Sequence, residues 1–155
     1  GLLKDASEEV RRIAHGMMPD ALVNFGLVDA IQDLADKINS TEELWVNTQF
    51  YLNKEPVPNK EATVIYRIIQ EILNNAIKHA KASEINIDFS ATSEAWQLVI
   101  SDDGVGFDQD TSHKLSGHGI NNIKSRMRYL NGELILRSSQ GGGTQYDMRI
   151  PKNRT

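Results

Sequence analysis

Apolar residues recur every three or four positions along residues 60–80, and that rhythm predicts a long helix. Ile65, Ile68, Ile69, Ile72, Leu73, Ala76 and Ala80 share one arc, and Asn59 stands where a helix cap belongs. Residues 5–18 (DASEEVRRIAHGMM) have a similar period, with Asp5 or Ser7 as caps and Gly16 and Pro19 weakening and ending it. Phe25-Gly26 reads as a turn into a helix over 27–39, with Leu27, Ile31, Leu34, Ala35 and Ile38 on one side. Residues 44–52 are aromatic and β-branched, which predicts a strand, and Pro56 and Pro58 punctuate the loop after it. The period then drops to two: Ile85, Ile87 and Phe89 alternate over 84–91, and Trp96, Leu98 and Ile100 over 95–102. Residues 103–118 hold Gly104, Gly106, Gly117 and a polar run, the pattern of a mobile loop. A helix over about 119–130 should stop at Asn131-Gly132, and strands at 133–139 and 144–150 flank Gly141-Gly142-Gly143. This β-α-β-β-α-β-β order predicts a two-layer α/β sandwich, a mixed sheet with helices on one face, preceded by the partial helix 5–18.

Composition narrows the function without naming it. The 155 residues suit one domain with a sizeable core, and 39% hydrophobic with 25% charged residues describes a globular chain. A net charge of −4 argues against nucleic acid as a main partner. Cysteine is absent, so disulfides and thiolate metal sites are excluded. No apolar run approaches the roughly 18 residues of a membrane span. The chain opens on Gly1, not Met, as expected of a piece of a longer protein.

Three stretches carry candidate chemistry. On the helix 60–80, Glu71, Asn75 and Lys78 lie within about 60° of one another. A solvated face is the plain reading, yet Asn is a mediocre helix former and two adjacent ones, Asn74 and Asn75, call for a reason. An Asn amide oxygen is a hard neutral ligand suited to Mg²⁺, a Lys meets phosphate charge, and a Glu can order or deprotonate a nucleophile. In "ISDDGVGFD", residues 100–108, a strand ends in Asp102, followed by Gly104 and Gly106. That is either an ordinary glycine turn or a backbone that lets a flat ligand approach, with the carboxylate accepting from an exocyclic amine. In "SGHGIN", residues 116–121, Gly117 and Gly119 precede a helix whose N-terminus favours an anion; a plain flexible loop is the alternative.

Taken together and in order, these stretches resemble the GHKL ATPases, which share the Bergerat nucleotide fold and include gyrases, heat-shock chaperones, mismatch-repair proteins and histidine kinases. "QEILNNAIKHA" is similar to the family's N box, "DDGVGF" to its G1 box, "GHGINNI" to its G2 box and "GGGTQYDMRIP" to its terminal glycine-threonine segment. The resemblance covers roughly residues 20–152, and its wording is nearest to catalytic domains of bacterial sensor histidine kinases of the nitrate-sensor group. It implies an ATP-binding catalytic domain at 20–155 and the end of a dimerisation helix with its hinge at 1–19. Asn75 would ligate Mg²⁺ with Asn74 beside it, Lys78 would meet the phosphates, and His79 would lie near the nucleotide. Asp102 would read the adenine amine in a pocket shaped by Gly104 and Gly106. Gly117 and Gly119 would hinge a lid over the phosphates, Thr144 would bond near the adenine, and Glu71 is a candidate base.

The implied reaction moves the γ-phosphoryl group of ATP to a histidine on a dimerisation domain outside this chain. The implied partners are that domain and, indirectly, a response regulator, with no direct membrane contact in this fragment. The implied setting is the cytoplasmic side of a membrane-anchored parent. His15 is a tempting acceptor, but Gly16 stands where the family places an acid to polarise the imidazole, so His15 reads as linker. Two other readings stay open: an ATPase that hydrolyses ATP to drive dimerisation, and a non-catalytic nucleotide-binding module.

Overall fold

The helix-period and strand-period segments form the elements of a computed structural model, which describes residues 22, 25–52, 55–106 and 119–152. Helix α1 (Leu27–Asn39) starts after Gly26, whose φ of 97° only glycine adopts readily. It buries Leu27, Ala30, Ile31, Leu34, Ala35 and Ile38. Its last residue pins it to the sheet: the Asn39 amide donates to the Val46 carbonyl at 3.0 Å and accepts from the Val46 N–H at 2.7 Å. Strand β1 (Trp45–Tyr51) leads to helix α2 (Asn59–Asn75), then come β2 (Glu84–Ala91) and β3 (Ala95–Asp102). Helix α3 (Ile120–Tyr129), β4 (Glu133–Ser138) and β5 (Thr144–Pro151) complete the order.

The sheet runs β1-β2-β3-β5-β4, with β1 and β2 parallel and every other pair antiparallel. It is mixed because the α2 crossover returns β2 alongside β1 in the same direction. Ile85, Ile87, Phe89, Leu98, Ile100, Tyr146, Met148 and Ile150 face one way and are buried under the helices with Ile65, Ile68, Ile69, Ile72 and Leu73 of α2. The other face carries exposed Asn47, Glu84, Asn86, Asp88, Gln97 and Arg149. This is the predicted two-layer sandwich, with strand ends within a residue or so of the sequence expectation.

Two details differ from the pattern. Asn59 is the first helical residue of α2, not its cap; Pro58 holds that place, and no side chain caps the helix. Proline suits the position because its missing N–H has no work to do there. At the other end the α-helix stops at Asn75, and Ala76–Ala80 forms a π-helical turn. The Ala76 carbonyl accepts from the N–H of Lys81 and of Ala82, and Lys81 takes the left-handed conformation at φ 50° to end it. Such wide turns are uncommon and concentrate at functional sites. Helix α3 ends as its sequence predicts: Asn131 is left-handed at φ 56° and the Gly132 N–H returns to the Met127 carbonyl at 2.8 Å. Helix 5–18, the 1–19 segment with His15, and the polar run including Gly117 lie outside the described residues.

Candidate functional site

Helix α2 delivers Asn74 and Asn75 to the core side of the sheet's end. Both are 7% exposed, which takes the two asparagines out of a solvated face, although Lys78 remains on one. A buried amide without partners is costly, by about 1–3 kcal/mol per group. Yet among the described residues Asn74 Oδ1 and both Asn75 amide atoms have no hydrogen-bond partner. Tyr146 of β5 lies beside Asn75, and burial pushes its phenol up to about 12, with Asn75 drawing it down and the charges of Asp102 and Glu71 raising it. One buried ring is thus within electrostatic reach of all three polar residues. Asn75 acts on the phenol as a hydrogen-bonding neighbour, yet by distance and angle neither of its amide atoms completes a hydrogen bond among the described residues.

Glu71, one helical turn earlier, is half-buried against the start of α3. A Cβ added at Gly119 would sit 1.7 Å from Glu71 Oε1, and Gly119 has φ 78°. A side chain there would be strained by the left-handed backbone and would have to push the Glu71 carboxylate aside. Lys60 lies 5.2 Å from the Tyr129 ring centroid at the far ends of the two helices. Helices α2 and α3 therefore run antiparallel, with Glu71 and Gly119 as their meeting point at the site. Lys78 stands exposed on the π turn, and the His79 side chain lies outside the described residues.

The sheet builds the other half. Asp102 ends β3 and pairs with Thr144, which in turn pairs with Ser138 of β4, so one rung carries three polar side chains on the helix-facing side. Asp102 Oδ1 accepts from the Gly104 N–H at 2.8 Å, the tight turn expected of D-x-G. Burial is the main influence on Asp102 and raises its pKa; the N–H groups of Gly104 and Thr144 pull it down, and neighbouring Asp103 adds to the rise. Asp103 differs: it accepts from the Ser83 hydroxyl and from the N–H groups of Ser83 and Glu84 at 2.8 and 3.0 Å, and its pKa is lowered, chiefly by the Ser83 hydroxyl. The two adjacent acids have separate tasks. Asp103 locks β2 to β3, and Asp102 faces a cleft.

A cleft of about 530 Å³ at this end of the sheet is lined by Asp102, Ser138, Gly143 and Thr144 together with Ser101, Arg137 and Gln145 of the open face. Gly106 closes against the turn before β5, since its added Cβ would meet the Ser139 carbonyl oxygen at 2.1 Å and that of Gly143 at 2.8 Å. The Gly141 N–H also donates to the Val105 carbonyl at 2.6 Å. Among the described residues no cluster of three His, Cys, Asp or Glu side chains could hold a metal.

Histidine kinase-, DNA gyrase B-, and HSP90-like ATPases match residues 60–154, the stretch that contains every described part of this site. The chain belongs to this family. Its ATPase domain is therefore an ATP-binding fold. It is 30% identical over 150 residues to the signal transduction histidine-protein kinase/phosphatase DegS of Brevibacillus brevis, covering 97% of this chain and 39% of that one. It is 32% identical to the sensor histidine kinase ComP of Bacillus subtilis, covering 96% of this chain and 19% of the relative. The chain thus spans well under half of these curated relatives. The histidine kinase domain of the blue-light activated kinase of Erythrobacter litoralis superposes with a TM-score of 0.66 at 17% identity, covering 96% and 93% of the two chains. That likeness shows the fold.

The structure brings Asp102, Gly104, Gly106 and Thr144 to one end of the sheet, and places Asn75 and Glu71 of α2 within reach of the Tyr146 ring between them. Sequence reading missed Tyr146, Ser138 and Gly143. A Cβ at Gly143 would lie 2.2 Å from the Asp102 carbonyl oxygen, at φ 75°, so this glycine lets β5 close on the acid. Its signal was in the chain, as the last glycine of a run before Thr144. Tyr146 and Ser138 gave none, because both read as routine strand residues.

Proposed function

We propose that this ATPase domain binds ATP together with Mg²⁺ and is the phosphoryl-donating part of a sensor histidine kinase. The observation that carries the reading is the Asn75 amide, buried at the end of α2 with neither polar atom paired among the described residues. A neutral oxygen held in that state suits a hard cation that keeps most of its waters and shares substrate phosphates. Asn75 would hold Mg²⁺, with Asn74 beside it; when bound, the ion supplies neutralisation of charge on the phosphate oxygens.

The chain's own residues do the rest by positioning. Asp102, an acceptor-only carboxylate, takes the exocyclic amine of adenine, and Gly104 and Gly106 keep the turn beside it thin. Thr144 bonds at the same end of the base. Lys78, exposed on the π turn, meets the negative phosphates, with His79 next to it. Gly119, and Gly117 before it, let the segment between β3 and α3 approach the phosphates. Glu71, packed against Gly119, is the group available to order the attacking nucleophile. Transfer forms a bond from an imidazole nitrogen to the γ-phosphorus while the β–γ bridging oxygen leaves with ADP; geometry and charge do most of the work. The acceptor histidine belongs to a partner dimerisation domain, and a response regulator takes the group onward, both in the cytoplasm.

Calorimetric titration of ATP with Mg²⁺ into the wild type and Asp102→Ala tests the reading. Loss of a hydrogen bond to a charged group corresponds to a drop of about 10- to 100-fold in affinity. Equal binding by the two proteins would overturn the assignment.

A further inference from the structure

The sheet has two outer edges, and they are guarded unequally. Strand β4 exposes Glu133 and Arg137, charges of the kind that keep an edge from pairing with another chain. Strand β1, WVNTQFY, holds neither a charge nor a proline over its seven residues. Trp45 donates its N–H to the Ser83 carbonyl at 3.0 Å. Trp45, Asn47, Gln49 and Tyr51 therefore bond toward β2, and Val46, Thr48 and Phe50 aim their main-chain groups outward. The Asn39 amide takes both groups of Val46. Among the described residues nothing takes those of Thr48 or Phe50. Trp45 and Tyr51 bracket this stretch and stay 54% and 65% exposed.

We propose that the outer edge of β1 docks an extended, basic segment of a partner protein, which adds a strand to the sheet. Charge selects the occupant. Thr48 Oγ1 donates to Gln32 Oε1 at 2.7 Å, and Gln32 Nε2 donates to Asp36 Oδ1 at 2.8 Å, so a carboxylate stands behind the edge on the helix side. On the open face the Asn47 amide donates to Glu84 Oε1 at 2.7 Å, which puts a second carboxylate there. Among the described residues neither acid has an ion-pair partner, and Lys37 beside Asp36 is committed to Asp33 at 2.8 Å. A second copy of this chain, of net charge −4, would bring these acids toward their own counterparts. Lysine or arginine at alternate positions of an incoming strand instead meets Asp36, and aliphatic residues between them lie along Trp45 and Tyr51. The main chain supplies the bonds, and the two faces supply the choice of sequence.

The test titrates the whole chain with a short capped peptide in which lysine alternates with valine, followed by NMR of the backbone amides. Hydrogen exchange at Thr48 and Phe50 should slow as the peptide is added, and shifts should centre on β1 and the Gln32–Asp36 flank of α1. A contact well below the roughly 1,200 Å² of a standard interface should bind with a dissociation constant on the order of 100 μM. Asp36→Lys should weaken the lysine peptide about three- to tenfold and favour the same peptide with glutamate in place of lysine. Trp45→Ser should weaken the lysine peptide by a similar factor. N-methylation of the peptide nitrogens that face β1 removes main-chain donors and should abolish binding. A methylated peptide that binds as well as its parent shows only the attraction of a cation to an acidic chain and overturns the proposal. Unslowed exchange at Thr48 and Phe50 in millimolar peptide overturns it too, as does an unchanged peptide preference in Asp36→Lys. Exchange that slows with protein concentration alone gives the edge to a second copy and overturns it as well. A wild type that fails to bind ATP would leave these results standing, because β2 and β3 separate β1 from the nucleotide end of β5.

Discussion

The two ends of the site are built on opposite principles. At the sheet end, Asp102, Thr144 and Ser138 sit on adjacent strands and satisfy one another or the backbone at 2.8–3.0 Å. At the helix end, Asn74 and Asn75 are equally enclosed but hold unpaired amide atoms, at the point where α2 gives way to a π turn. The sheet end is ready-made, because ladder register fixes it before any ligand arrives. The helix end stores a polar deficit that a ligand must relieve. Binding should therefore stabilise the two ends unequally, and substitutions should separate them.

The largest effect is expected where the sheet end closes on Asp102. Gly143→Ala puts a methyl group 2.2 Å from the Asp102 carbonyl oxygen at a positive φ. A loss of about 3 kcal/mol in chemical unfolding is expected, with ATP binding abolished. Retained stability would mean that the turn is looser than the register implies.

At the helix end the sign should reverse. Asn75→Leu replaces an unsatisfied buried amide with an apolar side chain of similar size, and should stabilise the free protein by about 1–2 kcal/mol. The same substitution should remove the Mg²⁺-dependent rise in melting temperature on adding ATP. A destabilised variant that still responds to Mg²⁺ would show that the amide is satisfied and the ion sits elsewhere.

A smaller contrast separates Asp102 from Asp103. The native pKa of Asp102 is raised, so the folded state holds its proton more tightly than the unfolded chain does. Its contribution to stability is thus greatest at low pH and declines as pH rises through the native pKa. Asp102→Asn should therefore match or exceed the wild type in stability at neutral pH while binding ATP poorly. Asp103 has a lowered pKa, and its stabilising effect is present above the ordinary carboxylate value and lost as pH falls through the native one. Asp103→Asn should accordingly lose some stability at neutral pH, a small loss because solvent screens this exposed carboxylate, and lose little of it in acid. Guanidinium melts of the two variants at several pH values measure both slopes.

How much of this was readable in the chain depends on how local each cause is. Alternation at Ile85, Ile87 and Phe89 needs only neighbours in sequence, and β2 and β3 begin and end where that alternation predicts. The stop at Asn131-Gly132 is equally local. The π turn is not, because a pattern scored at 3.6 residues per turn continues through Ala76–Ala80 without a break. Burial of Asn74 and Asn75 was hidden for a related reason: polar residues opposite an apolar arc are expected outside, and here both are enclosed, Asn75 beside Tyr146 of β5. The rung from Asp102 to Ser138 depends on the register of three strands, with residues 103–137 intervening, which no local signal records.

The central claim is that the unpaired Asn75 amide and the Asp102 carboxylate bracket one ATP with its metal. Mn²⁺ in place of Mg²⁺ makes that claim visible by NMR, since its unpaired electrons broaden nearby resonances. With ATP present, the Asn75 side-chain amide should broaden beyond detection at low Mn²⁺, while signals from Lys152 and Trp96, packed together 5.6 Å apart near the opposite ends of β3 and β5, stay sharp. Broadening that spares Asn75, or that is the same without ATP, would contradict the account.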